Sequence, residues 1–240
     1  MRAILTVLVL GFATVVAGQS MDNSPVKKNG SNSNYLSNRA ADHFMIQLGY
    51  ASLGGRPDSI TTKGFSRTFN MYLMYDFPSK TNKHLSVAVG LGIGSDNFFF
   101  DKTNIDINSR KAAIFRKDSI TRYKKYKLAS AFLELPIEVR YNTNAENAGK
   151  GWKFALGAKI GTMIDAHTKA KVISDALGQG DYTAKVKNTY LFSSTRISLM
   201  GRVGIGAFSV FGSYSFTDVF REGYGPGMKP YTIGLTLSGL

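Results

Sequence analysis

From Leu85 to Gly94 the chain reads LSVAVGLGIG, where Leu85, Val87, Val89, Leu91 and Ile93 alternate without a miss against Ser86, Ala88, Gly90, Gly92 and Gly94. A period of two is the signature of a β-strand with unlike faces. The same alternation recurs from His43 to the end, and helical spacing does not. The strands are marked by Phe44–Tyr50, Phe65–Phe77, the 85–94 stretch, Leu133–Tyr141, Trp152–Ile160, Ile197–Ile205, Phe208–Phe216 and Tyr231–Leu237. That makes eight, and an even number lets an antiparallel sheet close on itself.

Which face points inward follows from volume. Eight strands enclose room for modest side chains or one small ligand, so a lumen cannot take about five bulky apolar residues from every strand. Turning the faces over removes the conflict: the aliphatic and aromatic set meets lipid, while Ser, Thr, Gly and scattered charges fill a narrow polar interior. On this reading Gly90, Gly92 and Gly94 face inward and leave space for longer side chains from other strands. Closure also satisfies the backbone polar groups, which hydrocarbon demands. Connections alternate in length, short at 78–83, 142–150 and 206–207, long near 52–63, 98–126, 168–189 and 217–228. Such alternation belongs to a meander with chemically different ends. Phe44, Phe77, Tyr141, Trp152 and Phe208 gather near the short turns, with Tyr50, Phe65, Phe216 and Tyr231 at the opposite rim, as two interfacial girdles would. The expected fold is all-β, an eight-stranded antiparallel up-and-down transmembrane β-barrel.

The N-terminus speaks to location. Arg2 precedes an apolar run from Ala3 to Val16, followed by the small residues Ala17 and Gly18. This is the order of a signal peptide, and the run is too short for a spanning helix. Residues 1–18 are therefore expected to be a signal peptide. The Ser/Asn-rich stretch 19–42 is expected to be a disordered tether, and 43–240 the barrel. No later segment has 18 consecutive apolar residues, so an exported chain with this pattern is expected in the outer membrane of a Gram-negative envelope.

The segment FLELPIEVRY (132–141) resembles the "yLEiPlllkY" strand of small porin-like, PorT-like outer-membrane β-barrels of Gram-negative bacteria. GAFSVFGSYSFTDVF (206–220) and KPYTIGLTLS (229–238) are similar to that family's closing hairpin region. The resemblance spans roughly 43–240. It implies an eight-stranded outer-membrane barrel with no catalytic residues and an accessory role in secretion or adhesion.

Parity turns Asp76, Glu134, Glu138, Arg140, Lys153, Lys159, Asp165, Arg196 and Arg202 inward, and His167 with them. Charges in a low-dielectric lumen pair or stay wet. The expected charge network is Glu134, Glu138, Arg140, Lys153, Lys159, Arg196 and Arg202. Glu138 is expected to meet Lys153, Glu134 to meet Lys159, and Arg202 to pack beside Phe211. This network reads as a plug, and alternatively as the lining of a narrow porin-like channel with weak anion preference, because inward bases outnumber inward acids.

The net charge of +14 is concentrated, with nine bases in 102–127 facing only Asp106 and Asp118. A basic extracellular loop is expected there, carrying Arg110, Lys111, Arg116, Lys117, Arg122, Lys124 and Lys125. Its nearest anions are lipid-A phosphates and acidic glycans, so the expected partners are outer-membrane lipid, lipopolysaccharide and envelope or secretion-system proteins, with no nucleic acid.

Catalytic chemistry has little to stand on. Cys is absent, His43, His84 and His167 are scattered without metal spacing, and the Gly-x-Gly runs near 90–94 and 201–206 open no helix. No cofactor is expected. A lipid-modifying enzyme, which would need Ser, His and an acid together at the lipid face, is the outlying alternative.

Overall fold

A computed structural model describes residues 44–239 except 59, 63, 109–110, 118–120, 145–149, 175–177 and 179–180. The expected signal peptide and tether, with His43, lie outside the described residues. The strands are β1 (Phe44–Gly54), β2 (Arg67–Pro78), β3 (Leu85–Phe100), β4 (Thr103–Asp106), β5 (Ile114–Lys117), β6 (Arg122–Asn142), β7 (Trp152–Ser174), β8 (Thr183–Lys187), β9 (Thr195–Ile205), β10 (Phe208–Ser215) and β11 (Lys229–Ser238).

Eight of them form a closed antiparallel ring in the order β1-β2-β3-β6-β7-β9-β10-β11, with β11 returning to β1 from Met45↔Ser238 to Gly54↔Lys229. Each ring strand pairs with the ring strand next in sequence, so the barrel is an up-and-down meander. No helix among the described residues is long and apolar enough to cross a membrane; strands do the crossing. The tightest connection is Gly206-Ala207, closed by Ile205↔Phe208, with Gly206 at φ 63°. Positive φ at the first turn residue is the type II′ geometry that glycine supplies. Short turns gather at one end of the ring and the long connections at the other, the asymmetry of barrels whose short turns are periplasmic and whose long loops lie outside.

The two faces divide as expected. Leu91 and Ile93 stand outside with Val87 and Val89, whereas Ser86, Ala88, Gly90 and Gly94 are buried. Leu156 and Phe208 are 63% and 68% exposed, members of a continuous apolar belt that only lipid would cover. Aromatic pairs mark both rims: Tyr75–Phe77 and Trp152–Phe154 near the short turns, Tyr50–Phe65 and Tyr214–Phe216 at the other end.

Two expectations are corrected beyond the belt. The segments 98–126 and 168–189 are not loops throughout. β6 and β7 run for 21 and 23 residues, and their hairpin projects past the belt with β8 added at its edge, while β4 and β5 make a separate hairpin. Strict parity also fails on β7 where the strand leaves the belt. Ala131 faces Asp165 while Phe132 faces Met163, leaving Ile164 as an extra residue, a β-bulge. Beyond it Ala166, Thr168, Ala170 and Val172 are the buried set. Asp165 and His167, expected inward, therefore lie on the outer face.

Candidate functional site

Two rows of facing residues cross the lumen. In one, Tyr72, Gly92, Glu134, Gly161 and Arg196 are successive partners on β2, β3, β6, β7 and β9; in the other, Asp76, Ala88, Glu138, Gly157 and Met200. The small residues make the space. A Cβ on Gly94 would lie 2.5 Å from Glu134 Oε2, one on Gly161 2.9 Å from Glu134 Cγ, and one on Gly157 3.0 Å from Glu138 Cγ. The bare face of β3 therefore receives side chains from its neighbours.

Into that space Glu134 draws three donors. Its Oε2 accepts from Tyr72 OH at 2.5 Å and Lys159 Nζ at 3.2 Å, and its Oε1 accepts from Arg196 Nε at 3.0 Å and from Arg196 Nη2. Arg196 Nη1 also donates to Asp96, and its guanidinium lies 4.0 Å from the Phe132 ring centroid. Glu134, Asp96, Lys159 and Arg196 thus make a tetrad of two acids and two bases. A second tetrad lies nearer the short turns. Glu138 Oε2 accepts from Arg140 Nε at 2.8 Å and Arg202 Nη2 at 2.9 Å, and Asp76 Oδ1 is 3.7 Å from Arg140 Nη1. Glu134 and Glu138 are 0% and 1% exposed, so both side chains are almost wholly enclosed by protein. Beside the tetrads, Asn70 Nδ2 donates to Gln47 Oε1 at 3.1 Å and Gln47 Nε2 to Thr236 Oγ1 at 3.2 Å.

All seven expected network residues are buried and inward. Arg202 lies opposite Phe211 and Glu134 meets Lys159. Glu138, however, faces Gly157, while Lys153 faces Asn142 at the end of the hairpin. The expected Glu138–Lys153 partnership gives way to Arg140 and Arg202, because the connection sets a register four residues from the one it needed. Tyr72, Asp96, Gln47 and Asn70 were not singled out in the sequence. Parity alone would have found Tyr72, Asn70 and Gln47; Asp96 lies on β3 past the point where the alternation was followed.

Outside the tetrads the lumen changes character. Phe98, Phe100, Tyr126 and Leu128 from the ring meet Ile105 and Ile107 from the β4 hairpin and Leu191, Phe192, Val219, Phe220 and Met228 from the long connections in one apolar cluster. Phe192 stacks on Phe220 with ring centroids 4.9 Å apart. Backbone bonds tie the connections together: Ala113 N–H donates to Tyr224 O at 2.7 Å and Arg221 N–H to Leu191 O at 2.9 Å. The outer mouth is capped, so the interior is only half polar.

Of the expected basic loop, Lys111 is exposed in the connection after β4, Arg116 and Lys117 are exposed on β5, and Lys124 and Lys125 are exposed on β6. Arg122 begins β6, and Arg110 lies outside the described residues. Lys125 faces Lys171, and Lys127 faces Lys169, on the outer side of the β6–β7 hairpin.

His84 Nδ1 lies 2.7 Å from Asn142 O, and its ring stacks on Tyr141. His167 Nδ1 is 2.8 Å from Asp165 Oδ2, and Lys187 Nζ is 2.6 Å from Asp165 Oδ1. Partial burial disfavours the Asp165 charge, yet the bonds from Lys187 and His167 hold its carboxyl below the usual carboxylate range. The residues facing His167 are Ala129 and Lys187, and the next residue on its face of β7 is Lys169. None of these is a hydroxyl that an imidazole could activate. Among the described residues no cluster of three or more His, Asp and Glu could hold a metal.

Comparison with known proteins adds the family. Two crystal structures of Ail, the attachment invasion locus protein of Yersinia pestis, match at 14% identity over 81% of this chain and 95% of that chain, with TM-scores of 0.33 and 0.34. The first is a complex of Ail with the heparin analogue sucrose octasulfate. No curated protein matches the chain. The family described as outer membrane protein beta-barrel domain matches residues 25–221, most of the chain. The chain belongs to that family, and its closed eight-stranded ring carries its apolar face outward: it is an integral β-barrel protein of the outer membrane.

Proposed function

We propose that this is a closed, non-conducting barrel with a structural and interaction role at the cell surface, exported by residues 1–18 and without enzymatic activity. The observation that carries the reading is the double obstruction of the lumen. Two charge-neutral tetrads fill the inner half, and the apolar cluster of Phe98, Phe192 and Phe220 fills the outer mouth. An ion entering from either side would have to displace hydrogen-bonded carboxylates and then cross an apolar layer without its hydration shell, at a cost of several kcal/mol.

The secretion-accessory role implied by the PorT-like resemblance requires a partner at the outer cap or the periplasmic turns. Single-channel recording of the purified chain in planar bilayers tests the closed lumen. No steady conductance is expected from the wild type, and steady opening would replace the plug with a narrow pore.

A further inference from the structure

The outer side of the projecting β6–β7–β8 sheet carries a grid of bases. In register, His167 faces Lys187, Lys169 faces Lys185 and Lys127, and Lys171 faces Lys125. On the adjoining strands Lys127 faces Phe99, whose ring lies 5.6 Å from the Arg67 guanidinium. Strands lie about 4.8 Å apart and same-face neighbours about 7 Å apart along a strand, so six lysines occupy a patch about 10 Å wide and 14 Å tall. Asp165 at its lower edge is committed to Lys187 and His167. Lys127 donates to Asn97 Oδ1 at 2.6 Å. Lys125, Lys169, Lys171 and Lys185 form no ion pair among the described residues.

We propose that this lysine face docks the phosphorylated glycolipid of the outer leaflet, its phosphates on the grid and its acyl chains on the belt directly beneath.

Like charges at this density repel one another, and a bound anion lowers that cost. Lys127 stands beyond the membrane-spanning stretch of β6. Burial, and then repulsion from Lys169, Lys185, Arg67 and Lys125, lowers its ammonium from the usual lysine range. An anion on the grid relieves that repulsion at all five positions. Height selects a lipid over a soluble anion. The belt ends at Leu133 on β6 and Ile164 on β7, both exposed, and the first lysines of those strands, Lys127 and Lys169, follow six and five residues on, above the hydrocarbon on the headgroup side. A ligand that covers both surfaces has phosphates above and hydrocarbon below. The compact ammonium of lysine suits phosphate as a point charge. Next to the grid, Phe65, Phe99, Arg67, Lys102, Lys124 and Lys125, with Asp101, line a cleft of about 470 Å³ whose mixed aromatic and polar walls fit a sugar. The proposal rests on the outer-membrane placement and not on the closed lumen, so conductance has no bearing on it.

Native mass spectrometry of the folded full chain in detergent micelles tests it, with heat-modifiable gel mobility reporting folding. The ligands are bisphosphorylated lipid A, dephosphorylated lipid A and soluble polyphosphate. The wild type and a Lys80→Gln control on a periplasmic turn should bind bisphosphorylated lipid A equally. Dephosphorylation should weaken wild-type binding at least tenfold, and so should the combined Lys169→Gln, Lys171→Gln and Lys185→Gln substitutions. Should the triple variant not fold, Lys171→Gln and Lys185→Gln alone should each weaken binding several-fold. Unchanged binding by the lysine variants, or equal binding of dephosphorylated lipid A, would overturn the proposal. Polyphosphate binding with none by lipid A would also overturn it, in favour of a soluble polyanion.

Discussion

Glu134→Ala leaves Lys159 and Arg196 facing Asp96 alone, so a neutral buried tetrad becomes one with a net positive charge. The lost contacts are those from Tyr72 OH, Lys159 Nζ and Arg196. Breaking a buried pair by removing one partner costs about 3–5 kcal/mol, mostly the penalty of the charge left behind. Lys159→Ala errs in the opposite direction, leaving two carboxylates on Arg196, and should cost a similar amount. The double variant keeps Arg196 between Asp96 and an emptied site, neutral again. Its loss should fall short of the summed single losses by about 2–3 kcal/mol. The assay is urea unfolding from liposomes, followed by fluorescence of Trp152, the sole tryptophan, which is 52% exposed on the lipid face. If the two losses add to within about 0.5 kcal/mol, the charges are screened by water. The lumen would then be a hydrated channel rather than a plug.

Val89→Arg places a charge on the lipid face at mid-membrane and should cost about 2–4 kcal/mol in the same assay. Gly90→Ser faces the lumen, where a Cβ would lie 2.7 Å from Leu73 O and 3.2 Å from Pro136 Cγ, and should cost about 1–3 kcal/mol by overpacking. Asp165 contributes stability above the ordinary carboxylate pKa of about 4, and loses it as pH falls through its lower folded value. Asp165→Asn should therefore flatten the acid limb of a stability–pH curve measured between pH 6 and pH 2, and an unchanged limb would sink this assignment. Deleting Ile164 removes the unpaired residue and leaves Met163 inward and Asp165 outward in an unbroken alternation, so Lys169 and Lys171 stay on the outer face. The folded, heat-modifiable band on gels should persist, and its loss would mean that the bulge does more than set the phase of the strand.

The barrel was legible because lipid enforces the alternation: Leu133 to Tyr141 and Val87 to Ile93 alternate cleanly where hydrocarbon meets every second residue. Past Gly94 the pattern reverses sign. Asp96, Phe98 and Phe100 are buried, as are Tyr126 and Leu128 on the paired strand. In water the strand must turn its apolar face inward, so a continuing strand reads in sequence as one that has ended. For this reason Asp96 and the apolar cap escaped notice while the tetrad bases did not. The partner of Glu138 was missed for another reason. Parity fixes which face a residue occupies, but the depth at which two strands meet is set by the connection between them, and 142–150 carries no turn signal that dictates its geometry.

The bulge at Ile164 links the two surfaces on which the proposals rest. Below it, β7 sends Lys153 and Lys159 into the lumen and Trp152, Leu156 and Ile160 into lipid. Above it, an unbroken period would aim Lys169 and Lys171 at Phe98 and Phe192 and present Ala170 and Val172 to the outside. That arrangement would bury unpaired ammonium groups in an apolar core, which is among the costliest errors available to a fold. One extra residue reverses the phase where the strand leaves the membrane. Ala166, Ala170 and Val172 then complete the cap, and the same lysines align with those of β6 and β8 on the outer face. The closure of the lumen and the basic surface above the belt are thus two results of one local irregularity. Selection for either would hold it in place.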